Sequence, residues 1–318
     1  MDFGIATVTR GECSSREGYI AVAEGAERLG FGFISVNDHV VVPRDIASRY
    51  PYSESGEWAA RTAGECLDQL NTLAFLAGRT QRVQLLTSVM VVPQRHPVLT
   101  AKMLATIDVL SKGRLIVGCG VGWLKEEFEA LGAPPFAERG RATDEYLDAM
   151  KALWTQDAPQ FAGEHARFGD VIFAPKPARK PHPPIWIGGE SAVALKRTVR
   201  VGDGWYPASN NPQHRLDTPE RLAAGVAELH STAKAAGRDP KSIDIGYLVL
   251  WPVDWTAQRT TDGGRRLFTG SSGEMTADAA ALAKVDVRHV ALTFQTATLA
   301  ETLDRMQRFA NEVMPGAR

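Results

Sequence analysis

The chain has 318 residues, with 36 Lys+Arg against 37 Asp+Glu. That balance argues against a basic nucleic-acid surface or an acidic solvating tail, and a composition of 44% hydrophobic and 23% charged residues argues against disorder. No run approaches the roughly 20 apolar residues of a membrane span, the start MDFGIATVTRGE lacks the layout of a secretory signal, and Cys13, Cys66 and Cys119 form no CxxC pair. These features predict a cytoplasmic protein in a reducing compartment, without a nucleic-acid or membrane partner.

Short apolar runs alternate with helical patterns along the chain. The first run is 3–8 (FGIATV), followed by a helix over 15–29 with Tyr19, Val22, Ala23, Ala26 and Leu29 on one face and Gly30 at its C-cap. The second run is 33–36, and a helix follows over 68–79. The third, 84–92 (QLLTSVMVV), is long and β-branched. Pro97 opens a helix to Leu110, and 115–118 is the fourth run. Residues 141–154 are helical, and 160–177 reads as a small β-rich excursion. The fifth run, 184–187, precedes a helix over 192–201. The sixth is 204–207, with a helix over 219–236. The seventh, 243–250, leads into a long stretch from Trp251 to Gly273. The eighth, 287–294, is followed by a closing helix over 299–313. Eight strand-like runs, nearly all followed by a helix, predict a (β/α)8 TIM barrel as one domain over 1–318, with insertions after strands 4 and 7. A doubly wound open sheet is the rival, but no switch-point fingerprint supports it.

A barrel carries its chemistry at the C-terminal ends of its strands. After run two stand Asp38 and His39. An acid-imidazole pair there can do proton chemistry, while the plain alternative is rim packing. Run three contains Thr87, Ser88 and Val89. Its hydroxyls either face a polar ligand or bond their own backbone. Run four ends in 118–123 (GCGVGW), whose Gly120, Val121 and Gly122 permit close approach of a flat ligand or simply make a tight turn. The spacing is not GxGxxG, so a dinucleotide fingerprint is weak. Run five ends in Gly188, Gly189, Glu190 and Ser191 before a helix. That arrangement suits a phosphate or a plain N-cap, and Glu190 is itself able to cap the helix. The stretch after run seven holds Arg259, Arg265 and Arg266, able to grip an acidic ligand tail or to remain solvated. The aromatics Trp123, Trp205, Tyr206 and Trp251 suggest an apolar substrate pocket, with rim packing as the alternative. No HExxH or CxxC spacing points to a metal.

Taken together, the segments 31–43, 85–123, 126–132 (EEFEALG), 138–154, 175–191 and 202–207 resemble the luciferase-like monooxygenases, which are (β/α)8 barrels using FMN or the deazaflavin coenzyme F420. DHVVVP (38–43) beside the 118–123 segment is most similar to the F420-dependent branch. The resemblance implies that His39, with Asp38, sits beside the redox ring, and that a non-proline cis peptide joins Ser88 and Val89 behind it. It also implies that Gly120, Val121 and Gly122 flank the cofactor and that Gly188, Gly189, Glu190 and Ser191 take its phosphate, while Trp123 and Tyr206 remain the substrate-pocket candidates suggested by the strand-end aromatics. F420-dependent hydride transfer to or from a small organic molecule is the favoured activity. A reduced-FMN monooxygenase and a non-catalytic flavin-binding barrel are the alternatives. A homodimer and a flavin reductase or F420 reductase supplying reduced cofactor are the implied partners. Trp123 stands where the sugar-phosphate dehydrogenase branch has a Glu, and Val42-Pro43-Arg44 where it has a Trp, which argues against a glucose-6-phosphate substrate.

Overall fold

The computed structural model describes residues 1–7, 11–59 and 66–317. Its frame is eight parallel strands: β1 (Asp2–Thr7), β2 (Phe33–Val36), β3 (Gln84–Thr87), β4 (Leu115–Gly120), β5 (Ile185–Gly188), β6 (Gly204–Tyr206), β7 (Asp244–Pro252) and β8 (His289–Thr293). Each pairs with the next, and β8 returns to β1 with Phe3 opposite Val290, so the sheet closes. Helices α1 (Arg16–Leu29), α2 (Gln69–Arg79), α3 (Pro97–Leu110), α4 (Lys125–Leu131), α5 (Arg139–Thr155), α6 (Ala192–Val201), α7 (Pro219–Ala235), α8 (Ser272–Ala283) and α9 (Leu299–Glu312) accompany it. Among the described residues no helix is long and apolar enough to cross a membrane.

Local signals set the helix ends. Ser15, Asp68, Ser191, Thr218, Ser271 and Thr298 each accept a first-turn N–H as N-caps, and Gly30 closes α1 at φ 83° as expected. Four expectations need correction. The third run is not one strand. It breaks after Thr87, and Met90–Val91 resume pairing on β4. The excursion after α5 reduces to a hairpin of Phe161–Ala162 against Arg167–Phe168. Helices α4 and α8 went unpredicted, α8 because only Met275, Ala279 and Leu282 mark its buried face within an Ala-rich stretch. The stretch after β7 is a self-satisfied loop: Arg265 pairs with Asp278 and Arg259 donates to the Gly263 carbonyl, while Trp251, expected to open it, belongs to β7 and is buried with its Nε1–H on the Leu267 carbonyl at 2.8 Å. Val8, expected to end the first strand, lies outside the described residues.

Strand alternation splits the apolar residues into two cores. Phe33, Leu86, Ile116, Trp186, Tyr206 and Ala291 fill the barrel, while Ile34, Leu85, Ile185, Ile187 and Trp205 face the helices. The large interior rings fit because glycines stand opposite them. A Cβ on Gly4 would lie 2.3 Å from the Phe33 ring, and one on Gly204 would lie 2.4 Å from Trp186. Interiors packed to this density do not absorb an added methyl without displacement. Gly4→Ala is therefore expected to lower unfolding free energy by about 2–3 kcal/mol. Gly78→Ala, at an exposed helical position with open space around it, should raise it by about 0.5–1 kcal/mol. Urea unfolding of both variants checks the pair.

Candidate active site

The C-terminal ends of β2 to β6 meet at one mouth. At the end of β2, Asp38 is wholly buried and held from two directions. Its Oδ2 accepts the Val91 N–H at 2.9 Å and an Arg95 N–H at 2.7 Å, and its Oδ1 accepts a second Arg95 N–H at 2.7 Å. This fork locks β2 to the segment after β3. The adjacent His39 points elsewhere. Its Nδ1 lies 3.0 Å from Oε2 of Glu127, on the first turn of α4. The side chains of His39 and Glu127 are 11% and 1% exposed, so the imidazole reaches solvent and its partner does not. The expected Asp38–His39 pair is therefore replaced by two pairs, because successive side chains leave an extended segment on opposite sides.

A loop from Val40 to Ala59 arches over this pair. The Trp58 ring lies 4.4 Å from the His39 ring, and Trp123 packs edge-on against Trp58 at 5.5 Å and Tyr50 at 5.1 Å. Several polar tethers hold the loop, beginning with the Val40 and Val41 N–H groups on Oε1 of Glu127. Oε1 of Glu126 accepts the N–H groups of Ala47 and Ser48 at 2.8 and 2.9 Å, Asn210 donates to the Tyr52 carbonyl, and Arg215 pairs with Glu54. Burial alone would raise the Glu126 carboxyl, but the Ser48 hydroxyl and these amides hold it down to about 2.

At the end of β3 the Ser88–Val89 peptide bond is cis, in accord with the resemblance. Thr87 donates its hydroxyl to the Gly118 carbonyl at 2.7 Å, and Ser88 Oγ meets the Tyr206 hydroxyl at 3.1 Å. Tyr206 is only 2% exposed and its ring lies inside the barrel, so it buttresses Ser88 from below instead of lining a substrate wall. Trp205, on the other side of the same strand, faces the helices and donates to the Gly189 carbonyl at 2.9 Å. Of the four aromatics expected to form a pocket, only Trp123 stands in the aromatic cluster over His39. Val89 sits between β4 and β5. A Cβ on Gly120 would lie 2.6 Å from its side chain, and one on Gly188 would lie 3.1 Å away. The half-buried Val121 follows, and Gly122, at φ 83°, turns the chain where a Cβ would strike Phe128 and Val91.

After β5, Gly189 has φ 102°. Ser191 is an N-cap, its Oγ accepting the Ala194 N–H at 3.3 Å. The preceding amides of Ala192 and Val193 have no intrahelical acceptor. Glu190 does not cap α6. Its buried carboxylate turns toward β6 and accepts the Ala208 N–H at 2.8 Å and the Asn211 side-chain N–H at 2.7 Å, and burial raises it above the usual carboxylate range. Sequence reasoning missed Glu127, Trp58 and Tyr50. The EEF triplet was visible, but nothing local marked which glutamate turns inward.

The Glu126 tether carries a pH dependence. Its folded value lies below its unfolded one, so the tether is intact above the ordinary carboxylate range and is lost as pH falls toward about 2. Hydrogen exchange should show the Ala47 and Ser48 amides losing protection, relative to their intrinsic rates, on acidification below about pH 4. In Glu126→Ala they should be unprotected at every pH. Equal protection in both proteins would refute the tether.

The luciferase-like monooxygenase family model matches residues 1–310. A similar curated protein is the FMNH(2)-dependent dimethylsulfone monooxygenase of Pseudomonas putida, 37% identical over 177 residues. That match covers 55% of this chain and 46% of the relative, so the chain aligns with less than half the relative's length. Monooxygenase RslO1 from Streptomyces bottropensis superposes over 100% of both chains with a TM-score of 0.77 at 23% identity. An F420-dependent secondary alcohol dehydrogenase in complex with an F420-acetone adduct gives a TM-score of 0.77 at 16% identity, over 100% of this chain and 99% of that one. The two structures share the fold, and the sequence match extends through every strand of the barrel. The chain belongs to the luciferase-like monooxygenases, a family of flavin- or F420-dependent oxidoreductases.

Proposed function

We propose that the chain is an F420-dependent oxidoreductase acting on a small neutral organic substrate, with His39 as its proton-handling residue. The observation that carries the reading is the His39 imidazole, accessible at the mouth, anchored by a buried carboxylate and covered by aromatic rings. The residues present fit a flat tricyclic ring. The absent side chains of Gly120 and Gly188 leave the Val89 side chain as a backing surface, and the free first-turn amides of α6 beside Gly189 and Ser191 suit an anionic tail. Val89, Gly120, Val121, Gly122 and Gly188 would hold the ring, and Gly189 to Val193 the phosphate. When bound, F420 supplies a carbon that accepts or donates hydride.

The chain's own residues do the rest. His39 gives or takes the proton that accompanies oxidation of a hydroxyl or reduction of a carbonyl or alkene. Trp58, Trp123 and Tyr50 exclude water and favour an apolar substrate. Arg95 is neutralised by Asp38 and Asp68, so it offers no seat for a substrate anion. Asp38 acts by fixing the loop that presents His39, and Glu190 by bracing the β5 and β6 loops.

A reduced-FMN monooxygenase is the second reading, supported by the 37% identity to the Pseudomonas putida enzyme. Parallel titration of the purified chain with F420 and FMN separates the two. The proposal expects micromolar or tighter F420 binding, with FMN at least about tenfold weaker, a gap of about 1.4 kcal/mol. The reverse order supports the monooxygenase. His39→Asn should lower kcat by about 10²–10⁴ while cofactor affinity stays within about threefold. Unchanged turnover would reject the role of His39.

A further inference from the structure

We infer that Glu127 is a positioning residue for His39, fixing the imidazole with its proton on Nδ1 and leaving Nε2 as the nitrogen presented to the mouth. The inference deepens the functional reading and rests on His39 handling a proton there.

The geometry leaves one arrangement. Oε1 of Glu127 already accepts the Val40 N–H at 2.7 Å and the Val41 N–H at 3.2 Å. Oε2 is left for Nδ1 of His39 at 3.0 Å. Burial pushes the carboxyl up, but the His39 hydrogen bond and charge and the Val40 amide outweigh burial and hold it below the usual carboxylate range. An ionised carboxylate only accepts, so Nδ1 must be the donor. In the neutral ring Nε2 is then a lone-pair nitrogen, and in the charged ring it is the donor facing outward. Asp38 cannot substitute for Glu127, because its two oxygens are held by Arg95 and the Val91 amide. Trp58 and Trp123, the rings against the imidazole, carry no charge. Glu127 is thus the charged group in direct contact with His39 among the described residues.

A purely structural role, anchoring the 40–41 backbone, predicts something different, and Glu127→Gln separates the two. The glutamine carbonyl keeps the Val40 and Val41 bonds. Its NH2 must then face Nδ1, and because that group only donates, the His39 proton is forced onto Nε2. Two-bond 1H–15N correlation spectra of histidine-labelled full-length protein read the tautomer directly, with the His39 signals identified by their loss in His39→Asn. At pH values where the ring is neutral, wild type should show a protonated Nδ1 and a bare Nε2, and Glu127→Gln the reverse. Turnover should fall by about 10²–10⁴, with retention of the bound cofactor within about threefold of wild type.

A wild-type His39 protonated on Nε2 would overturn the inference without any variant. So would an unchanged tautomer in Glu127→Gln, or a switched tautomer with full turnover. A switched tautomer in a protein that retains neither F420 nor FMN would overturn the functional reading and leave the positioning contact standing.

Discussion

A carboxylate taken out of water must be met by donors, or it destabilises the fold by several kcal/mol. That requirement organises this barrel's mouth. Asp38, Glu127 and Glu190 are all buried there, and each meets donors from a different loop. Asp38 gathers Arg95 and Val91 from the loop after β3. Glu127, on α4 after β4, gathers the backbone just beyond β2 and the His39 ring. Glu190 gathers Ala208 and Asn211 from the loop after β6. Loops that the strands leave separate are knitted into one rim, and the single imidazole in this network is left facing the opening.

The same rim depends on what lies beneath it. The barrel interior is filled by rings from β2, β5 and β6 seated against glycines of β1, β6 and β7. Tyr206 rises from that interior to Ser88, and Val89 packs on the same interior cluster, so core packing reaches both residues of the cis peptide. Val89 then stands between two glycines at the ends of β4 and β5. A surface built this way is stiff, because its supports are strands and not loops. The covering loop from Val40 to Ala59 is the opposite case. It is tied down by a few polar tethers, one of them the carboxylate of Glu126.

Much of the barrel was legible in the sequence because its signals are local. Eight apolar runs, the Gly30 C-cap and the Ser15 and Pro97 helix starts are decided within a few residues. The third run was misread because β-branched continuity between Gln84 and Val92 does not reveal a break in backbone direction. Helix α8 was missed because its buried face, Met275, Ala279 and Leu282, is too narrow to stand out in an Ala-rich stretch. Site residues divided along the same line. His39, Asp38 and the glycine segments stand at strand ends, where the barrel rule points. Glu127 lies in the first turn of a helix, and Tyr50 and Trp58 lie in a polar loop without periodicity. Glu127 and Trp58 meet His39 directly and Tyr50 reaches it only through Trp58 and Trp123, long-range contacts that leave no trace in spacing. Trp205 and Tyr206 show a further limit. Neighbours on a strand face opposite sides, so they could not both have lined one pocket, and here neither does.

The proposed function seats a flat redox ring in the mouth between Val89, Gly120 and Gly188, with its anionic tail at the start of α6. Crystals of the chain soaked separately with F420 and with FMN test it most directly. Ring density is expected against the Val89 side chain and phosphate density beside Gly189 and Ser191. Density at any other place on the molecule, or none with either compound at concentrations well above micromolar, would contradict it.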